Sequence, residues 1–93
     1  MKLFATVSIY CENPAGVHRI MKKEFDTDVV PVAGMYLEDP AWEKEKEIGL
    51  VIVNPGENQY FMVLKEEDDR HVRCPDQLTC RRLEKVYQTH KWK

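Results

Sequence analysis

Ninety-three residues, 43% hydrophobic and 32% charged, describe one globular domain over 1–93, large enough to bury a core without staples. No run approaches the roughly 18 apolar residues of a membrane helix, so no membrane partner is expected. The net charge of −2 hides a division: four basic and two acidic residues lie in 1–25, three and twelve in 26–69, seven and two in 70–93. That pattern does not describe a uniformly basic nucleic-acid binder, but it lets an acidic middle and a basic end attract one another.

Residues 2–11 alternate. Leu3, Ala5, Val7, Ile9 and Cys11 share one face, and Phe4, Thr6, Ser8 and Tyr10 the other, which predicts a strand. The start is too short and too polar for a signal-peptide core, and Cys11, Cys74 and Cys80 make an odd number. A cytoplasmic protein with reduced thiols is expected. Asn13 and Pro14 then suit the cap and first position of a helix. Val17, Ile20, Met21 and Phe25 come next at helical spacing, with Arg19, Lys22 and Lys23 on the wet side; an extended reading of 17–25 is the alternative, though the period suits it poorly.

The β-rich stretch 29–37 contains Pro31 and Gly34, so it is expected at a sheet edge or with a bulge. Residues 38–42, carrying Trp42, read as a loop or a single helical turn with Asp39 as its cap, and 43–47 as a solvated charged run. Apolar runs at 48–53 and 60–64 flank a turn cluster of Asn54, Pro55, Gly56, Glu57 and Asn58, which predicts a hairpin. A charged exit covers 65–70. From about 75 to 90 a second helix is predicted, with Thr79, Leu83, Val86, Tyr87 and His90 as its buried stripe. The order β-α-β-β-β-α predicts an α+β fold: a two-layer sandwich of two helices on a mostly antiparallel, four-stranded sheet.

Two helices cover about one face of four strands. The other face would carry Phe4, Thr6, Ser8 and Tyr10. The hairpin would add either Val51, Val53, Phe61 and Val63, or Leu50, Ile52, Tyr60 and Met62. Monomers seldom leave such a face bare. A homodimer is the leading expectation, because closed two-fold pairs are the commonest oligomers; another protein or a small molecule are the other candidate occupants, and the plainer alternative is a helix on each face or a curled sheet packing on itself. The expected interface residues are Phe4, Tyr10, Trp42, Val51, Val53, Phe61 and Val63. Trp42, an aromatic in a charged loop, either folds back on the core or anchors a partner.

Signals for chemistry are sparse. Cys11 stands where a strand ends and a helix is predicted to begin, so its thiol could be activated by the helix N-terminus; the plainer reading is a small core residue in phase with Ile9. With Val30, Pro31 and Val32 this arrangement resembles the thioredoxin and glutaredoxin pattern, although no second cysteine stands two residues on. His71, Cys74, Cys80 and His90 could ligate zinc, but their spacing is looser than in structural zinc sites, so no metal is expected. Glu38, Asp39, Glu66, Glu67, Asp68 and Asp69 read as solvated acids rather than an acid–base pair. Arg81, Arg82, Lys85, Lys91 and Lys93 read as an outer helix face, so nucleic acid is not the expected partner. No cofactor motif is present, and the chain leans away from catalysis. It is expected to be a binding or interaction module. The alternatives are a ligand-binding protein or small enzyme with a pocket over the second sheet face, and an acidic inhibitor or nucleic-acid mimic.

Overall fold

The computed structural model describes residues 2–66 and 71–93 and is mostly sheet. Its elements are β1 (Lys2–Glu12), β2 (Ala15–Asp26), β3 (Tyr36–Leu37), β4 (Lys46–Asn54), β5 (Gln59–Leu64), β6 (Val72–Cys74) and the helix α1 (Gln77–Thr89). The strand order is β2-β1-β5-β4-β3, with β6 also on β1. The pairs β1–β2, β4–β5 and β3–β4 are antiparallel; β1–β5 and β1–β6 are parallel. The sheet curls into a half-barrel. The expected four-stranded, mostly antiparallel sandwich with two helices is therefore corrected to six strands in a mixed sheet with a single helix among the described residues.

The correction begins at residue 13. Asn13 and Pro14, joined by a cis peptide bond, form a two-residue turn, because Glu12 pairs with Ala15 across it. The turn leads into β2 rather than into a helix. The period of β2 is interrupted once: Ile9 faces Arg19 while Tyr10 faces Val17, so His18 is an extra residue in a β-bulge. The bulge shifts the phase of the strand. Val17 and Ile20 stand on one face, Met21 and Phe25 on the other, and in sequence that break imitates a helical spacing. The bulge also brings His18 and Arg19 onto one carboxylate of α1: Glu84 meets His18 Nε2 at 2.7 Å and accepts from Arg19 at 2.6 Å. Bonding to His18, then Arg19, holds the Glu84 carboxyl below its ordinary range.

The stretch 29–37 is strand only at β3; residues 27–35 run as irregular chain, with Gly34 in the left-handed region at φ 95°. Helix α1 lies close to its expected span. Asp76 caps it, accepting from Thr79 N–H at 2.8 Å. Cys80 and Tyr87 are its buried residues, whereas Val86, expected inside, is exposed. The helix ends in a Schellman turn: Lys91 sits at φ 71°, Lys91 N–H bonds Gln88 O at 3.2 Å, and Trp92 N–H bonds Tyr87 O at 3.0 Å. That turn drives Trp92 inwards, to 1% exposure. Lys93 then exchanges two backbone bonds with Lys22, each 2.8 Å, and so covers part of the β2 edge.

The core lies on the inner face, under Leu3, Ala5, Val7, Ile9 and Cys11 of β1. At one side it is polar at its centre. Asp39, 6% exposed, accepts from Trp92 Nε1 at 3.0 Å, from Ala41 N–H at 3.0 Å and from the Lys23 ammonium. Burial alone would raise the Asp39 pKa; the bonds from Lys23, Trp92 and Ala41 outweigh it, and the carboxyl titrates below its ordinary value. Asp39 thus contributes stability above the unfolded carboxylate pKa, and that contribution is lost as pH falls through the lower folded value. Asp39→Asn leaves Lys23 without its buried counter-charge and is expected to cost roughly 3 kcal/mol in denaturant unfolding at pH 7. The difference between variant and native chain should shrink steadily on acidification below about pH 4. A gap unchanged at low pH would contradict this account of Asp39.

Candidate functional site

Register sorts the side chains of the sheet into two faces, because directly paired residues project to the same side. On the outer face Phe4 pairs with Phe61, and Thr6 with Val63. Phe61 pairs in turn with Ile52, and Val63 with Leu50. On the far side of β1, Ser8 pairs with Ile20 and Tyr10 with Val17. Apolar side chains therefore run across β4 and β5 to Phe4 of β1, while on β2 Glu24 and Lys22 stand beside Phe4 and Thr6, and Ile20 and Val17 lie beyond them. Leu50, Ile52, Val63 and Ile20 are 54%, 51%, 46% and 62% exposed, and Phe4 and Phe61 are half-buried.

Two aromatic stacks mark this face. The Phe4 and Phe61 rings lie 5.3 Å apart at an interplanar angle of 20°, with Lys22 Nζ 4.6 Å from the Phe4 centroid. The Tyr10 and His71 rings lie 5.2 Å apart, and the Arg73 guanidinium sits 5.1 Å from the Tyr10 centroid. His71 Nδ1 is held against Ser8 Oγ at 2.8 Å. Each stack thus carries a cation over an aromatic ring, an arrangement that masks part of the apolar area with charge. Glu24 pairs with Phe4 across the strands and lies 3.5 Å from Lys2 Nζ, so the margin near Phe4 holds both signs.

The structure brings together four of the expected interface residues, Phe4, Tyr10, Phe61 and Val63. Val51 and Val53 belong to the inner face, paired with Met62 and Tyr60. Trp42 also lies on the inner side. Its Nε1 donates to Tyr87 Oη at 3.1 Å and its ring lies 5.7 Å from that of Trp92. Leu50 and Ile52, in the other set considered for the hairpin, belong outside with Phe61 and Val63. The signal was in the loop length. Asn54 pairs with Gln59 across four turn residues, and an even count sets even-numbered positions of β4 against odd-numbered positions of β5. A second bulge at Gly49 then inverts the phase, leaving Ile48 inside and Leu50 outside.

Cys11 does not stand before a helix, because β2 comes after it. It instead joins the other two cysteines. Cys11 pairs with Cys74 across β1 and β6, and the Cys80 thiol is a neighbour of both. All three are buried and free. Cys11 Sγ donates to Asn13 O at 3.4 Å and Cys80 Sγ to Tyr10 O at 3.7 Å. Burial raises the Cys74 pKa, and burial together with the neighbouring thiols pushes Cys80 up to about 12. Cys74 and Cys80 are therefore protonated, and all three buried side chains act as small apolar core groups. His71 lies on the outer face, away from this cluster, and no group of three or more His, Cys, Asp or Glu among the described residues is arranged to hold a metal ion. The acids Glu67, Asp68 and Asp69 lie outside the described residues. Among the described residues, no helix is long and apolar enough to cross a membrane.

The chain matches no protein-family model, no curated protein and no solved structure.

Iodoacetamide at pH 7.5 is expected to label the folded chain at least about tenfold more slowly than the chain in denaturant, read by mass spectrometry at each cysteine. Labelling of Cys11 at the rate of a free thiol would show that it is reactive after all.

Proposed function

We propose that this chain is an interaction module that pairs with a second copy of itself through the outer face of its sheet. The observation that carries the reading is the unbroken run of Leu50, Ile52, Phe61, Val63 and Phe4 across three neighbouring strands, aligned by register. Contiguous apolar area on a sheet face gains most when another sheet packs on it at about 10 Å, with side chains interdigitating. A second copy also suits the charges. Lys22, Lys2 and Glu24 lie together at one margin, so a two-fold rotation can set the cations of one chain near the acid of the other. The cations over Phe4 and Tyr10 give the surface a polar edge, as rims of soluble interfaces have. The three free cysteines favour a reducing compartment, and we infer the cytoplasm.

Light scattering of the purified chain at tens of micromolar is expected to give twice the chain mass of 11.0 kDa. The double variant Leu50→Glu, Ile52→Glu places like charges in the contact while touching only exposed positions, so it should return the mass to that of one chain with an unchanged circular dichroism spectrum. A native protein that stays at 11.0 kDa at these concentrations refutes the pairing.

A further inference from the structure

The inner side of the half-barrel is filled unevenly. Tyr87, Trp42 and Trp92 pack together on one part of it. Elsewhere, between the sheet and the 27–37 segment, there is a cavity of about 300 Å³. Its lining draws on five strands, with Leu3 from β1, Phe25 from β2, Leu37 from β3, Ile48 from β4 and Met62 from β5; Pro31 also lines it. Leu3, Ile48 and Met62 belong to the buried core, so the cavity reaches core side chains rather than resting on surface loops.

Three residues of the lining carry polar side-chain groups, Asp26, Thr27 and Tyr36, and each has an interaction within the chain. Thr27 Oγ1 accepts from Val29 N–H at 3.2 Å, and the Tyr36 hydroxyl donates to Glu47 at 3.3 Å. Asp26 has an interaction of its own. A charged or strongly polar guest would give up its water against a mostly apolar lining, a loss that apolar contact does not repay. An uncharged apolar guest meets no such loss and gains by leaving water. We propose that this cavity is a binding site for a small uncharged apolar molecule, on the order of ten non-hydrogen atoms. The size rests on scale: an apolar cavity of about 150 Å³ takes up benzene, and this one is about twice as large. Concave apolar pockets with few polar groups are the usual form of small-molecule sites. The site lies on the opposite side of the sheet from the outer face and does not depend on pairing between copies.

The test is a titration of the isotope-labelled full chain, followed by NMR, with 2-naphthol as the uncharged probe and 2-naphthoate as its charged counterpart. 2-Naphthol should shift the resonances of Thr27, Met35, Ile48 and Met62, and should bind at least about tenfold more tightly than 2-naphthoate. Val29→Trp and, separately, Met35→Trp fill the cavity from exposed lining positions and should each weaken 2-naphthol at least about tenfold without disturbing the core. Equal affinity for the two probes overturns the proposal. So does the absence of binding, or shifts centred on Leu50, Ile52 and Phe61.

Discussion

Strand β1 is hydrogen-bonded along both edges, and the rest of the molecule is arranged by that fact. One edge carries β2 along the whole strand; the other carries β5 and then β6, end to end. A strand held on both sides cannot slip by one residue without turning Leu3, Ala5, Val7, Ile9 and Cys11 out of the core. Those five side chains are 4% exposed or less, so the penalty for slipping is large and the register is firm. The register then dictates the faces of every neighbour. It puts Phe61 beside Phe4 and Cys74 beside Cys11, and through β5 it puts Ile52 and Leu50 on the outer side.

The same strand shows what was legible in the sequence. Its two faces could be named from alternation alone, because no bulge interrupts β1 itself. The hairpin and α1 were readable for similar reasons: a clear turn cluster in one case, and Pro75 and Asp76 ahead of a helical apolar stripe in the other. The second strand was open to an extended reading, but a helix fitted its spacing better. Its bulge at His18 breaks the period of two, and Val17, Ile20, Met21 and Phe25 then fall at positions that a helix would also use. Local pattern cannot separate those readings; pairing with β1 does. Trp92 was missed because its burial depends on a turn with a non-glycine residue, Lys91, in the left-handed region. The meeting of three cysteines is a tertiary event. Nothing in the spacing of Cys11, Cys74 and Cys80 announces it, since it needs the parallel β1–β6 pairing and the first turns of α1 together.

The two sides of the sheet invite different occupants for physical reasons. The inner side is concave, lined by the core and anchored by the Asp39, Lys23 and Trp92 contacts, so what remains open there is small and concave. The outer side spreads apolar side chains over four strands, and its cations already rest on aromatic rings. A surface of that breadth is matched by another sheet far better than by a small molecule. The apolar second face anticipated from the hairpin is present, but its members changed. Val51 and Val53 belong to the inner side, and Leu50 and Ile52 take their place beside Phe61 and Val63.

Pairing through the outer face is tested most directly by isotope-filtered NMR on a mixture of labelled and unlabelled chains. Contacts between the methyl groups of Leu50 and Ile52 in one chain and the rings of Phe4 and Phe61 in another are the predicted result. Intermolecular contacts confined to other surfaces, or none at all at millimolar concentration, would contradict it.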